Sequence, residues 1–205
     1  MADVTIPGKG VGDSMTKEEM IEEARAYFNH ACFAIDCLTA YESIDKLQDR
    51  RESLVNDCNG FFLIAKYSIS KCLLLELAKL YRNSAKEKTI HKLINIVKAN
   101  NHLFPKNLPI TQVTETLENE VVKNAESISK LAVRRDKDLS HNDQEYFNGK
   151  RNPALENYLP PEECMTLAKL VADYCNEILY RLEGNTIIYP TLGSDDLLNL
   201  AESFD

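Results

Sequence analysis

The stretch FFLIAKYSISKCLLLELAKLY, Phe61 to Tyr81, decides the fold. It has no glycine or proline, and its apolar side chains cover most of the circumference of a helix. That pattern belongs to a helix at the centre of a bundle. Lys66, Lys71, Glu76 and Lys79 interrupt it, so it is too charged to span a bilayer. The spacing predicts one helix from near Arg51 to about Arg82. No glycine occurs between Gly60 and Gly149, which leaves no room there for a glycine-rich phosphate loop. Seven glycines and seven prolines in 205 residues are also too few turn formers for a sandwich or barrel.

Upstream, Thr16-Lys-Glu-Glu19 reads as a capping box, in which hydroxyl and carboxylate satisfy orphan amides reciprocally. Ile21, Ala24, Phe28, Ala31, Ile35 and Leu38 follow at steps of three and four, predicting an amphipathic helix that ends near Leu47. Downstream, Ser84-Ala-Lys-Glu87 reads as a second capping box opening a shorter helix to about Asn100, and Pro105 and Pro109 punctuate a connection. Thr111 opens a fourth helix with the stripe Val113, Leu117, Val121, Ile128, Leu131 and Ala132, fading near Leu139. A polar loop runs from Asn142 to about Pro160. Pro160-Pro161 starts the last long helix, with the stripe Leu167, Leu170, Tyr174, Ile178 and Leu182, and Gly184 caps it.

The expected fold is therefore all-α, a bundle of four long helices and one or two short ones. Residues 1–13 are expected to be a flexible tail, 14–184 the bundle, and 185–205 an acidic tail with a short helix behind a Ser194 cap.

Net charge is -8, from 24 basic and 32 acidic residues. Affinity for phosphate backbones comes mainly from Lys and Arg, so the balance argues against a nonspecific DNA-coating role, while a local basic site is not excluded. Asp195, Asp196, Glu202 and Asp205 put four of the eight excess negatives in the tail. The six cysteines, Cys32, Cys37, Cys58, Cys72, Cys164 and Cys175, form no C-x-x-C pair and sit among apolar residues. They read as reduced core residues of a cytoplasmic protein. The N-terminus lacks the apolar region of a signal peptide. No H-E-x-x-H or E-x-x-H occurs, so neither a zinc hydrolase nor a diiron bundle is indicated, and no metal or other cofactor is expected.

Chemistry concentrates in KLAVRRDKDLSHND, residues 130–143. Lys130, Arg134, Arg135 and Lys137 crowd one short stretch that ends in His141. Continuing the stripe from Ile128 by seven, or from Leu131 by four, reaches Arg135. A guanidinium on the core-facing side needs a partner or a task. One reading is a buried salt bridge to a carboxylate of a neighbouring helix. The other is a functional site. By the same periodicity, Arg134 is turned about 100° off the stripe.

Arg135-Asp136 leading to His141 across five residues resembles the R-x(4–6)-H mark of the HEPN superfamily. The fuller string R-D-K-D-L-S-H-N-D is similar to the abortive-infection AbiU-like branch, as is the earlier run LLLELAKLYR. Arg25 and His30 also fit the bare pattern, but Ala26–Asn29 between them is the packing face of the first helix. No Tyr lies two residues after His141, so silencing by nucleotidyl transfer to such a residue is not indicated.

The resemblance implies a metal-independent endoribonuclease of phage defence or a toxin–antitoxin pair. Arg135 and His141 would be its catalytic residues, and two copies of the motif would meet in a homodimer. A ribose 2′-OH attacks the adjacent phosphorus. His141 can move the proton at neutral pH, and Arg135 can stabilise the phosphorane. Lys130, Arg134 and Lys137 would hold RNA. Asp136, Asn142 and Asp143 would support the site by orienting side chains and capping the helix end. An antitoxin or regulatory protein is a further expected partner, and no membrane is. The alternative is a non-catalytic helical module of the same kind that binds RNA, nucleotide or protein.

Overall fold

In the computed structural model, residues 15–82, 88–139, 152–187 and Asn199 are described. All regular structure among them is helical. Helix α1 spans Lys17–Arg50, α2 Glu52–Asp57, α3 Asn59–Tyr81 and α4 Ile90–Ala99. A short 3-10 turn, Asn101–Leu103, leads toward α5, Thr111–Lys123, and α6, Ala125–Arg134. A π-helical turn, Arg135–Leu139, continues α6. Helix α7 is Pro153–Glu156 and α8 is Pro161–Glu183.

Helix α1 is the centre of the bundle. Thr16 caps it with the reciprocal pair expected: Glu19 N–H donates to the Thr16 hydroxyl, and Thr16 N–H donates to the Glu19 carboxylate. Its whole predicted stripe is buried, from Ile21 to Leu38. Ala24, Ala31 and Ala34 on α1 and Ala168 and Ala172 on α8 are nearly or fully enclosed, so the two backbones approach closely. Helix α8 runs antiparallel to α1: Arg25 pairs with Glu183 at one end, and Leu38 lies with Cys164 at the other. Leu73, Leu74, Leu77 and Leu80 of α3 complete the core, each fully buried Leu worth about 1.5–3 kcal/mol. Gly184 ends α8 at φ 79, a left-handed conformation suited to glycine, with its N–H on Tyr180 O at 2.9 Å.

The placement of the 61–81 stretch corrects the expectation that it fills the bundle centre. Only its second half does. Phe61 and Ile64 are each 69% exposed, and Leu63 and Tyr67 are also open. The reason is length. At 1.5 Å per residue, α1 is about 50 Å long and α8 only about 35 Å. Helix α8 starts opposite Leu38, so among the described residues only the short α2 packs on the far end of the α1–α3 hairpin, where Leu47, Val55 and Phe62 cluster.

The expected helix from Arg51 to Arg82 is also interrupted. The run Asn56-Asp57-Cys58-Asn59-Gly60 favours turns, and the chain restarts at Asn59, with Phe61 N–H donating to Cys58 O at 2.9 Å. The Ser84–Glu87 box lies outside the described residues. The described helix begins later, at Ile90, where Thr89 accepts from Lys92 N–H. The fourth helix is broken at Asn124, whose side-chain amide donates to Glu120 O at 2.8 Å and whose N–H also turns back on that carbonyl. Cys32, Cys37, Cys164 and Cys175 are buried as expected, but Cys58 and Cys72 are exposed. Both tails lie outside the described residues, apart from residues 185–187 and Asn199.

Candidate functional site

Helix α6 and the π turn after it carry the described part of the motif, residues 130–139. Leu131 is fully buried and fixes its rotation. After Arg134 the backbone widens into a π turn, a feature often found at functional sites. Arg135 opens that turn.

The Arg135 side chain is 19% exposed. Its Nε–H donates to Asp136 Oδ1 at 2.7 Å, and Nη2 reaches the same oxygen. Among the described residues the carboxylate it meets is its chain neighbour. Among the described residues, then, no carboxylate of a neighbouring helix meets it, and Asp136 holds the guanidinium through Nε and Nη2.

Arg135 and Asp136 line a cavity of about 630 Å³ between the end of α3, the first turn of α4, and α5–α6. Ala78, Val121, Ile128 and Leu131 make its apolar wall. The Tyr81 ring is a fixed part of that wall, because its buried hydroxyl donates to Leu167 O at 2.8 Å. Burial raises the Tyr81 phenol far above its ordinary range, so it stays neutral. Arg82 and His91 complete the rim. Among the described residues, Arg82, His91 and Arg135 thus line one cavity beside one carboxylate, Asp136, in a chain whose overall charge is -8. A volume within the usual ~300–1,000 Å³ of ligand sites suits a nucleotide.

Arg82 and His91 were not among the residues predicted. Arg82 was visible as the basic end of LLLELAKLYR. His91 carried no signal, because the cavity depends on how α4 packs beside α3 and α5.

The other predicted residues divide. Lys130 Nζ is 2.8 Å from Glu126 Oε1, a hydrogen bond that raises the pKa of the ammonium and lowers that of the carboxyl. Arg134 was expected off the stripe. It is half-buried and lines a smaller cavity, of about 90 Å³, with Leu38, Leu74 and Cys164. The inner face of α6 is wide enough to turn adjacent arginines into two different crevices, one beside α3–α4 and one beside α1–α8. Burial pushes the Cys164 thiol up to about 12, with Arg134 pulling the other way, so Cys164 is inert at neutral pH. Lys137 is exposed. His141, Asn142 and Asp143 lie outside the described residues.

The second R-x(4–6)-H match is structural. Arg25 Nη2 donates to both oxygens of Glu183 at 2.9 and 3.0 Å, and His30 Nδ1 is 2.8 Å from Glu76. Among the described residues no group of three or more His, Cys, Asp or Glu could hold a metal ion, and no helix is long and apolar enough to cross a membrane.

The model of the HEPN family described as AbiU2 matches residues 17–201. Comparisons with curated proteins and with solved structures give no match.

Proposed function

The chain belongs to the AbiU2 family of HEPN proteins, and on that premise we propose that it is a metal-independent endoribonuclease of phage defence or of a toxin–antitoxin pair. The observation that carries the proposal is that Arg135 opens on a nucleotide-sized cavity also lined by Arg82 and His91. Arg135 stabilises the charge that develops on phosphorus, where a rigid guanidinium fork fits two phosphoryl oxygens. Asp136 orients it. His141, at the motif's spacing, takes the 2′-OH proton. Asn142 and Asp143 support that histidine. Lys130, Arg134 and Lys137 make up the basic end of the helix, with Lys137 the most open to a strand.

The proposal includes a cytoplasmic homodimer and, for a toxin, a regulatory protein partner. The exposed Phe61, Ile64 and Tyr67 support self-association, because monomers rarely leave such a ridge bare. The mostly apolar wall of the cavity favours one second reading, a module that binds RNA or nucleotide without cleaving it.

Labelled RNA incubated with purified protein in EDTA separates the two. Cleavage that is lost in Arg135→Ala and His141→Ala supports the enzyme. Binding without cleavage supports the module.

A further inference from the structure

We infer that the cavity beside Arg135 is a guanine pocket, with Asp136 as the side chain that reads the base. The inference rests on the reading of this cavity as a nucleotide site and names the base it takes.

The wall sets the first requirement. Ala78, Tyr81, Val121, Ile128 and Leu131 line it with carbon. Phosphate oxygens need N–H donors, and such a wall gives them none. A nucleobase has two apolar faces and carries its polar atoms on its edges. Ala125, Ser129 and Ala132 lie on the same lining, small and exposed, so α6 offers a base a low surface to rest on. The Tyr81 ring is fixed by its bond to Leu167 O, and Ala78 and Leu131 are buried. This wall is formed before a ligand arrives, which spares the cost of ordering it on binding.

Asp136 sets the second requirement. Both hydrogen bonds from Arg135 end on one oxygen, Oδ1. The other oxygen, Oδ2, carries two lone pairs of its own, on a side chain that lines the cavity and is 47% exposed. An ionised carboxylate only accepts, so it selects a partner by that partner's donors. Guanine sets two N–H donors side by side on its Watson–Crick edge, N1–H and the N2 amine. Adenine, cytosine and uracil each place an acceptor next to their donor, and a carboxylate repels that acceptor. Asp136 thus favours guanine by attraction and disfavours the other bases by repulsion. The ion pair also joins the two halves of the site: Arg135 meets the phosphate and Asp136 the base.

Short 2′-O-methyl oligouridylates carrying one guanine, hypoxanthine, adenine or cytosine test this. They lack the attacking 2′-OH, so binding is read apart from cleavage. Hypoxanthine is guanine without the N2 amine. By fluorescence anisotropy the guanine probe should bind about 5–150-fold tighter than the adenine and cytosine probes, the usual discrimination of a bidentate pair. The hypoxanthine probe should fall between them. In Asp136→Asn the amide oxygen still accepts from Arg135, while an NH2 group replaces the second acceptor. That variant should lose the preference for guanine.

Equal binding of the guanine and adenine probes, or of the guanine and hypoxanthine probes, overturns the inference. So does an Asp136→Asn protein that keeps the preference, or a wild-type chain that binds no probe. If the variant loses helicity, the guanine and hypoxanthine probes on the wild-type chain decide alone. The same sequences with ribose, incubated in EDTA, report separately on cleavage. A guanine preference with ribose probes left uncut removes the ribonuclease and supports the pocket. Cleavage with no preference for guanine removes the pocket and leaves the ribonuclease standing.

Discussion

Replacing Arg135 with alanine separates a functional arginine from a structural one by stability alone. A buried cross-helix ion pair, deprived of its cation, leaves a carboxylate uncompensated and costs about 3–5 kcal/mol. The geometry here predicts much less. Arg135 keeps 19% of its side chain exposed, and its partner Asp136 keeps 47%. Asp136 can rehydrate at once when the guanidinium is gone, so the pair itself is worth about 0–1 kcal/mol. The methylene stem adds about 1 kcal/mol of partial burial at ~0.8 kcal/mol per CH2. The sum is about 1–2 kcal/mol. With a urea slope of about 2 kcal/mol/M, the midpoint should fall by roughly 0.5–1 M at unchanged slope. Urea melts followed by circular dichroism measure this directly. A loss of 3 kcal/mol or more would refute the reasoning and make Arg135 a scaffold residue.

Other outcomes follow from particular contacts. The Tyr27 hydroxyl is buried with no hydrogen-bond partner among the described residues, so Tyr27→Phe should be neutral or stabilising by up to about 1 kcal/mol. Tyr81→Phe, which removes a hydrogen bond to the Leu167 carbonyl, should cost about 0.5–1.5 kcal/mol; equal effects in the same melts would contradict the contrast. Burial pushes the Glu76 carboxyl up, but hydrogen bonds from Lys79 and His30 outweigh it and hold it below the ordinary 4.5. A depressed carboxyl stabilises the fold above its unfolded pKa and loses that contribution as pH falls through the folded value. The stability gap between wild type and Glu76→Gln should therefore shrink between about pH 5 and pH 3, and a constant gap would count against it. Phe61→Ser with Ile64→Ser should convert a sedimenting dimer to monomer without unfolding, and an unaltered dimer would move the interface elsewhere.

Local rules made much of the bundle legible. The Thr16 box, the α1 stripe and the Gly184 cap each depend on residues within a turn or two, and each appears as read. Periodicity at 61–81 established a helix apolar all round. It could not reveal that α8 stops short of Phe61, because that depends on the relative lengths and offsets of distant helices. Asn124 is only a mild helix breaker, so its break gave no warning. The motif at Arg135 was readable because its residues lie close in the chain. Arg82 and His91 line the same cavity only through the packing of α3 on α6 and of α4 beside α3 and α5. Arg134 shows the limit of angular reasoning: a residue turned off the stripe still faces inward when helices flank both sides.

On the proposal that this helical bundle cuts RNA with its own side chains, the chemistry of the product ends decides. End-labelled RNA incubated with the protein in excess EDTA should yield 2′,3′-cyclic phosphate termini, and neither Arg135→Ala nor His141→Ala should produce any. RNA that stays intact, or fragments that appear only when a divalent cation is restored, would contradict the account.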